Sequence, residues 1–148
     1  MEKLEEIIDT FEFLDDWEDK YRFVIDAGKA VPVIPEAARI EANLIRGCQS
    51  QVWMTTTINT DGTLHLNLDS DAHIVRGLIS IVLAAYNDKS PNAILEFDIE
   101  GLFARLALLE HLSQTRGNGL RAMIQRIEQI AALATSRFML CPKLVKHL

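Results

Sequence analysis

The sequence predicts an α+β domain, a small antiparallel β-sheet with helices packed against it, and two patterns predict it. Between residues 51 and 69 apolar residues alternate with polar ones, and Asp61-Gly62 interrupts the alternation as a turn would. On both sides of that stretch the apolar residues recur every three or four positions instead, which is the period of a helix with one buried face. A run of helices, a hairpin and a second run of helices is the chain order of an α+β fold. At 148 residues one domain suffices. A domain of that size buries about 68 to 70% of its unfolded surface and needs no disulfide or metal to hold it. The domain is expected to occupy 1–135, with 136–148 as a flexible tail where the periodicity lapses.

Taken in order, Leu4, Ile7, Ile8, Phe11 and Leu14 form the apolar stripe of a first helix that stops near Asp15. Asp15 or Asp16 then caps a second helix. Its acidic first turn, Glu18 and Asp19, suits the positive end of the helix dipole; Trp17, Tyr21, Val24 and Ile25 form its stripe, and Gly28 ends it. Pro32 and Pro35 make the next stretch extended, and Pro35 opens a short helix from Glu36 to Ile40. Residues 51–59 form the first strand, with Val52, Met54, Thr56 and Ile58 on one face and Trp53, Thr55 and Thr57 on the other. Leu64, Leu66 and Leu68 give the second strand its single apolar face.

From Ala72 to Tyr86 the period returns to 3.6, and Ile74, Val75, Leu78, Ile79, Val82, Leu83 and Tyr86 cover so wide a face that this helix should be central. Ser70 or Asp71 is its expected N-cap. Gly77 lies within it at a cost of about 1 kcal/mol relative to alanine, which predicts a close neighbour. Ser90-Pro91 opens a short helix through Leu95, Asp98 caps another bearing Leu102, Phe103, Leu106 and Leu109, and Thr115 to Gly119 interrupts the pattern. Leu120, Met123, Ile124, Ile127, Ile130 and Leu133 mark the last helix.

One segment carries the chemistry. Residues 46–53 read RGCQSQVW and set Cys48 after a glycine and among polar residues, just before the first strand. Gly47 permits a bend, and Gln49, Ser50 and Gln51 are typical of a surface turn, so the expectation is an exposed, reactive thiol. Arg46 is either a nearby positive charge that favours thiolate or an exposed side chain without effect on the thiol, and Val52 and Trp53 supply adjacent apolar surface; in the isolated protein the Cys48 side chain is expected to lean on apolar residues near the loop. The formal charge of −6 disfavours a nucleic-acid binder, which shows a basic face. No stretch approaches the roughly 20 apolar residues of a membrane span, and no secretory leader is visible, so a cytoplasmic protein is expected.

RGCQSQVW resembles the cysteine loop of the SufE family, small sulfur acceptors that take a persulfide from a cysteine desulfurase during iron–sulfur cluster assembly. WEDKY at 17–21, DSDAHIVRGLI at 69–79 and HLSQTRGNGLRAMI at 111–124 resemble further family stretches in the same order, and the likeness covers roughly 10–130. The resemblance implies the SufE/IscU-like architecture. It implies that Cys48 carries the sulfur and that this chain is an accessory protein stimulating a desulfurase rather than a stand-alone enzyme. The partners it implies are a SufS-type cysteine desulfurase and a downstream iron–sulfur scaffold. Pyridoxal phosphate belongs to the desulfurase, so this chain is expected to need no cofactor of its own. Asp71 and Arg116 match family positions that act in partner contact or around the cysteine. Arg46, Gly47, Gln49, Ser50, Gln51 and Trp53 are the expected loop-supporting set. The sequence leaves open whether two copies pair as a homodimer.

Other chemistries fit less well. A cysteine-dependent hydrolase or transferase needs a histidine beside the thiol and a group to orient it. His65 is the candidate, since a hairpin can bring its strand near the start of the first; His73, His111 and His147 read as exposed or capping residues. A zinc site built from Cys48, Asp69 or Asp71, a histidine and Cys141 lacks the short ligand spacings of structural zinc. Cys141 has no counterpart in the resemblance and reads as incidental.

Overall fold

The computed structural model describes residues 3–140. Its helices are α1 (Leu4–Phe13), α2 (Trp17–Gly28), α3 (His73–Tyr86), α4 (Pro91–Glu96), α5 (Ile99–Leu106) and α6 (Gln114–Leu140), and its strands are β1 (Val52–Ile58) and β2 (Leu64–Ser70). The two strands pair antiparallel, with Val52 opposite Ser70 and Ile58 opposite Leu64. The turn joining them is the predicted Asp61-Gly62 turn, closed by the Asn59 N–H donating to the Thr63 carbonyl at 2.8 Å. This is the expected α+β arrangement.

α3 is the central helix. Residues from nearly all round it are buried, including Ile74, Leu78, Ile79, Val82 and Tyr86, because β2 packs on one side through Leu64, Leu66 and Leu68 while α2 and α1 cover others. The α2–α3 contact explains Gly77. A Cβ on Gly77 would stand 2.7 Å from Val24 Cγ1, and one on Gly28 would stand 2.6 Å from the Gly77 nitrogen, so the helices approach backbone to backbone. α6 packs against α4, and α1 reaches α5 as well as α3. Predicted caps hold at three starts: Asp16, Ser90 and Asp98 accept from the N–H groups of Asp19, Ala93 and Gly101.

Elsewhere the structure corrects the expectation. α3 is capped by Ala72 without a side-chain bond; Ser70 instead ends β2 and Asp71 turns to the cysteine loop. The helix after Pro35 is a single 3-10 turn ending at Ala38, and a second 3-10 turn spans Glu41–Asn43. Tyr21 is 42% exposed, leaving Val24 and Gly28 as the buried face of α2. Leu109 falls in a 3-10 turn beyond Ala107, whose left-handed φ of 51° ends α5.

The alternation of β1 holds only at its start. Val52, Trp53 and Met54 are all buried, since the 31–45 segment covers Trp53 from the far face, while Ile58 at the tip is 56% exposed. The largest departure is α6. It starts at Gln114, with the Ser113 hydroxyl accepting from the Arg116 N–H at 3.2 Å, and runs without a break through Gly117 and Gly119. Leu133 lies 66% exposed while Ile127, Ala131 and Ala134 face inward. The helix extends five residues past 135 to Leu140, and the rest of the predicted tail, with Cys141, lies outside the described residues.

Candidate functional site

Residues 46–51 form a loop fastened at its base, where the Ile45 N–H donates to the Val52 carbonyl at 2.8 Å and Leu44 bridges to Trp53. Gly47 takes a φ of 94°, which glycine adopts without strain, and the turn it makes aims Cys48 back toward α6. The thiol lies 3.5 Å from the Gly119 carbonyl, to which it donates. Cys48 is half-buried, so the expectation of an exposed thiol is corrected, while the expected lean on apolar residues is met: the cysteine packs against the core and turns toward α6. Burial pushes its pKa up from the ordinary value of a free thiol.

Beside Sγ is a cavity of about 20 Å³. Its apolar walls are Val52, Val75, Leu78, Leu120 and Met123, and Gln49, Ser50, Thr115 and Arg116 line its polar side. Three of the expected residues, Gln49, Ser50 and Arg116, are thus gathered round Cys48, and the start of α6 brings Arg116 there. Arg46 is not placed to favour thiolate. Its side chain is 82% exposed and its guanidinium stands 3.6 Å from Glu41.

Asp71 and Gln51 hold the outgoing end of the loop. The Gln51 N–H donates to the Asp71 carboxylate at 3.1 Å, and the Gln51 carbonyl accepts from the Ser70 hydroxyl at 2.7 Å. Beneath them is a cluster that sequence reasoning missed. Asp69, 0% exposed, accepts from the Ile34 N–H at 3.2 Å, from Arg39 at 2.8 Å, from the Ser70 N–H at 2.8 Å and from Arg76. Arg76 also donates to the Val31 carbonyl at 2.7 Å, and the Arg39 guanidinium lies over Trp53, 5.0 Å from its ring centre. One carboxylate therefore ties the 31–39 segment, the end of β2 and the start of α3 to the base of the cysteine loop. The available signal was an aspartate closing a strand with an arginine in the first turns of the helix that follows.

The hydrolase expectation finds no support in this geometry. His65 pairs with Thr57 at the hairpin tip, the opposite end of β1 from Cys48, and binds Asp88 at 2.8 Å. His111 stacks on Trp17 with ring centres 3.8 Å apart, His73 begins α3, and His147 lies outside the described residues. Among the described residues no group of three His, Cys, Asp or Glu side chains is placed to hold a metal ion, and no helix is long and apolar enough to cross a membrane.

Residues 5–131 match the SufE family, described as the Fe-S metabolism associated domain. An uncharacterized SufE-like protein of Rhizobium meliloti is 48% identical over 134 residues, covering 88% of this chain and 96% of its own. One from Rhizobium etli is also 48% identical over 134 residues, covering 88% of this chain and 90% of its own. The solution structure of a hypothetical protein from Thermus thermophilus superposes with a TM-score of 0.72 at 21% identity, over 90% of this chain and 96% of that one, which shows the shared fold. With a family match across most of its length and relatives at this identity, the chain belongs to the SufE family.

Proposed function

We propose that this protein is a sulfur acceptor and carrier, loaded at Cys48 by a SufS-type cysteine desulfurase and unloaded onto an iron–sulfur scaffold. The observation that carries the reading is the cavity of about 20 Å³ beside Cys48 Sγ. A cavity of that volume admits about one water-sized group, and a persulfide adds one atom to the thiol. Family association with iron–sulfur metabolism agrees.

The transfer balances without any redox partner. Cys48 thiolate attacks the outer sulfur of the desulfurase cysteine persulfide; a new S–S bond forms to Cys48 as the old one breaks, and the electron pair leaves on the desulfurase thiolate. Pyridoxal chemistry belongs to the desulfurase, and this chain supplies only the nucleophile and its shelter. Accepting the sulfur frees the desulfurase cysteine, which is how the carrier stimulates its partner. Burial favours the protonated thiol in the closed loop; docking draws the loop outward, relieves that desolvation and frees Sγ to attack. After transfer the loop closes and the apolar walls keep reductants from the cargo. The reading places the protein in the cytoplasm, with protein partners and neither nucleic acid nor membrane.

The test is intact mass after incubation with cysteine and a desulfurase. Wild type and Cys141→Ser should each gain one sulfur, about 32 Da, and Cys48→Ser none, as thiolate exchange at a single site requires. Sulfur on Cys141 alone, or turnover of thioester or amide substrates that vanished with Cys48→Ser, would overturn the reading.

A further inference from the structure

Gly119 lies inside α6 in regular helical conformation, where glycine costs about 1 kcal/mol relative to alanine. A Cβ there would stand 3.5 Å from Cys48 Sγ, 3.7 Å from its Cα and 3.8 Å from its Cβ, all ordinary contact distances. The reduced protein therefore has room for alanine at 119, and the helix would gain by it. The space a methyl would take belongs to the cavity beside Sγ, which Gly119 lines. Gly117 offers the comparison: its Cβ would meet only Leu109 Cδ2, at 3.7 Å, and it does not line the cavity.

We infer that Gly119 is the residue that sets what the closed site accepts: its missing side chain reserves room for the outer sulfur of a Cys48 persulfide, so the loaded protein closes as fully as the empty one. This rests on the carrier reading above and assigns its cargo space to one position. The outer sulfur stands one S–S bond, about 2.05 Å, from Sγ, so it must enter this cavity when the loop is shut. A methyl on residue 119 leaves the thiol seated and takes volume from the persulfide. The loaded loop then stands open, and a dithiol reaches the cargo. Its first thiolate attacks the outer sulfur, forming one S–S bond while the Cys48 bond breaks and the electron pair stays on Cys48. Its second thiolate closes a ring disulfide and expels hydrosulfide.

The experiment loads wild type, Gly119→Ala, Gly117→Ala and Cys48→Ser in two ways, with free cysteine persulfide and with cysteine plus desulfurase. After removal of the donor, dithiothreitol is added and the loss of about 32 Da is followed by intact mass. Wild type and Gly117→Ala should hold their sulfur alike, and Gly119→Ala should lose it about tenfold faster, as when a closed form passes from dominant to minor. Unloaded Gly119→Ala should melt at or above the wild-type temperature, as the gain in helix propensity requires, and its thiol should alkylate at the wild-type rate. Equal lifetimes would overturn the inference, as would an equal effect of Gly117→Ala, or lower melting or faster alkylation of the unloaded Gly119→Ala. Wild type that loads from free persulfide but not from the desulfurase would remove the carrier reading and leave the Gly119 comparison readable; wild type that loads by neither route would overturn both.

Discussion

Removing the Asp69 side chain leaves the guanidiniums of Arg39 and Arg76 together at a partly buried site and strands the Ile34 N–H. Losing one partner of a buried ion pair costs about 3–5 kcal/mol, and Asp69→Ala should show a loss of that size in urea unfolding. Tyr86 presents the opposite case. It is 0% exposed, and its hydroxyl has no hydrogen-bond partner among the described residues. Burial first, and then the charge of Glu128, which approaches without hydrogen-bonding geometry, push its pKa well above the ordinary phenol value. A buried unsatisfied hydroxyl carries a penalty of about 1–3 kcal/mol, so Tyr86→Phe should raise stability by about 1 kcal/mol. For Cys48 the sign follows from burial: the closed loop favours the protonated thiol, so alkylation of folded protein should be slower than of the denatured chain. Closure is most favourable below the ordinary thiol pKa, about 8.5, and weakens above it. The ratio of the two alkylation rates should therefore narrow as pH rises, and a ratio of one at neutral pH would contradict the seated thiol.

At the scale of elements, the α2–α3 contact allows a sharp test. Gly77→Ala improves helix propensity by about 1 kcal/mol, yet it places a methyl 2.7 Å from Val24 Cγ1 and closer still to backbone. Overpacking of this kind costs about 1–3 kcal/mol, and the rigid backbone contact puts this site at the upper end, so thermal unfolding should show net destabilisation. That glycine was legible in the sequence, because an expensive residue inside a strongly periodic helix implies a neighbour. The hairpin was legible too, through Asp61-Gly62 and the alternating leucines of β2. The start of α6 was not. Gly117 and Gly119 read as a break, whereas the Ser113 cap and packing against the cysteine loop carry the helix through them. That single misreading also explains the misplaced thiol, since without α6 nothing in the sequence stands opposite Cys48. Asp69 failed for a related reason: alternation assigned it to a solvent face that the 31–39 segment, distant in sequence, covers.

Across the whole molecule, order should be graded outward from α3 and β2, which share the core, to the hairpin tip and the cysteine loop. Amide exchange follows local opening free energy, so the amides of Leu78, Ile79 and Val82 should exchange slowest. Ile45, bonded across the loop base, should be protected, and residues 47–50 should exchange quickly. Slow exchange throughout 47–50 would show that the loop does not open by itself. The fastening of that loop by Ile45 and Val52 also sets a clock. Because only residues 46–51 need move while β1 and α6 stay in place, opening is a lid motion, of about microseconds to seconds, rather than a rearrangement of the core. In the proposed sulfur transfer that gate can set the pace, and a partner whose docking lifts the loop would quicken delivery without disturbing the core.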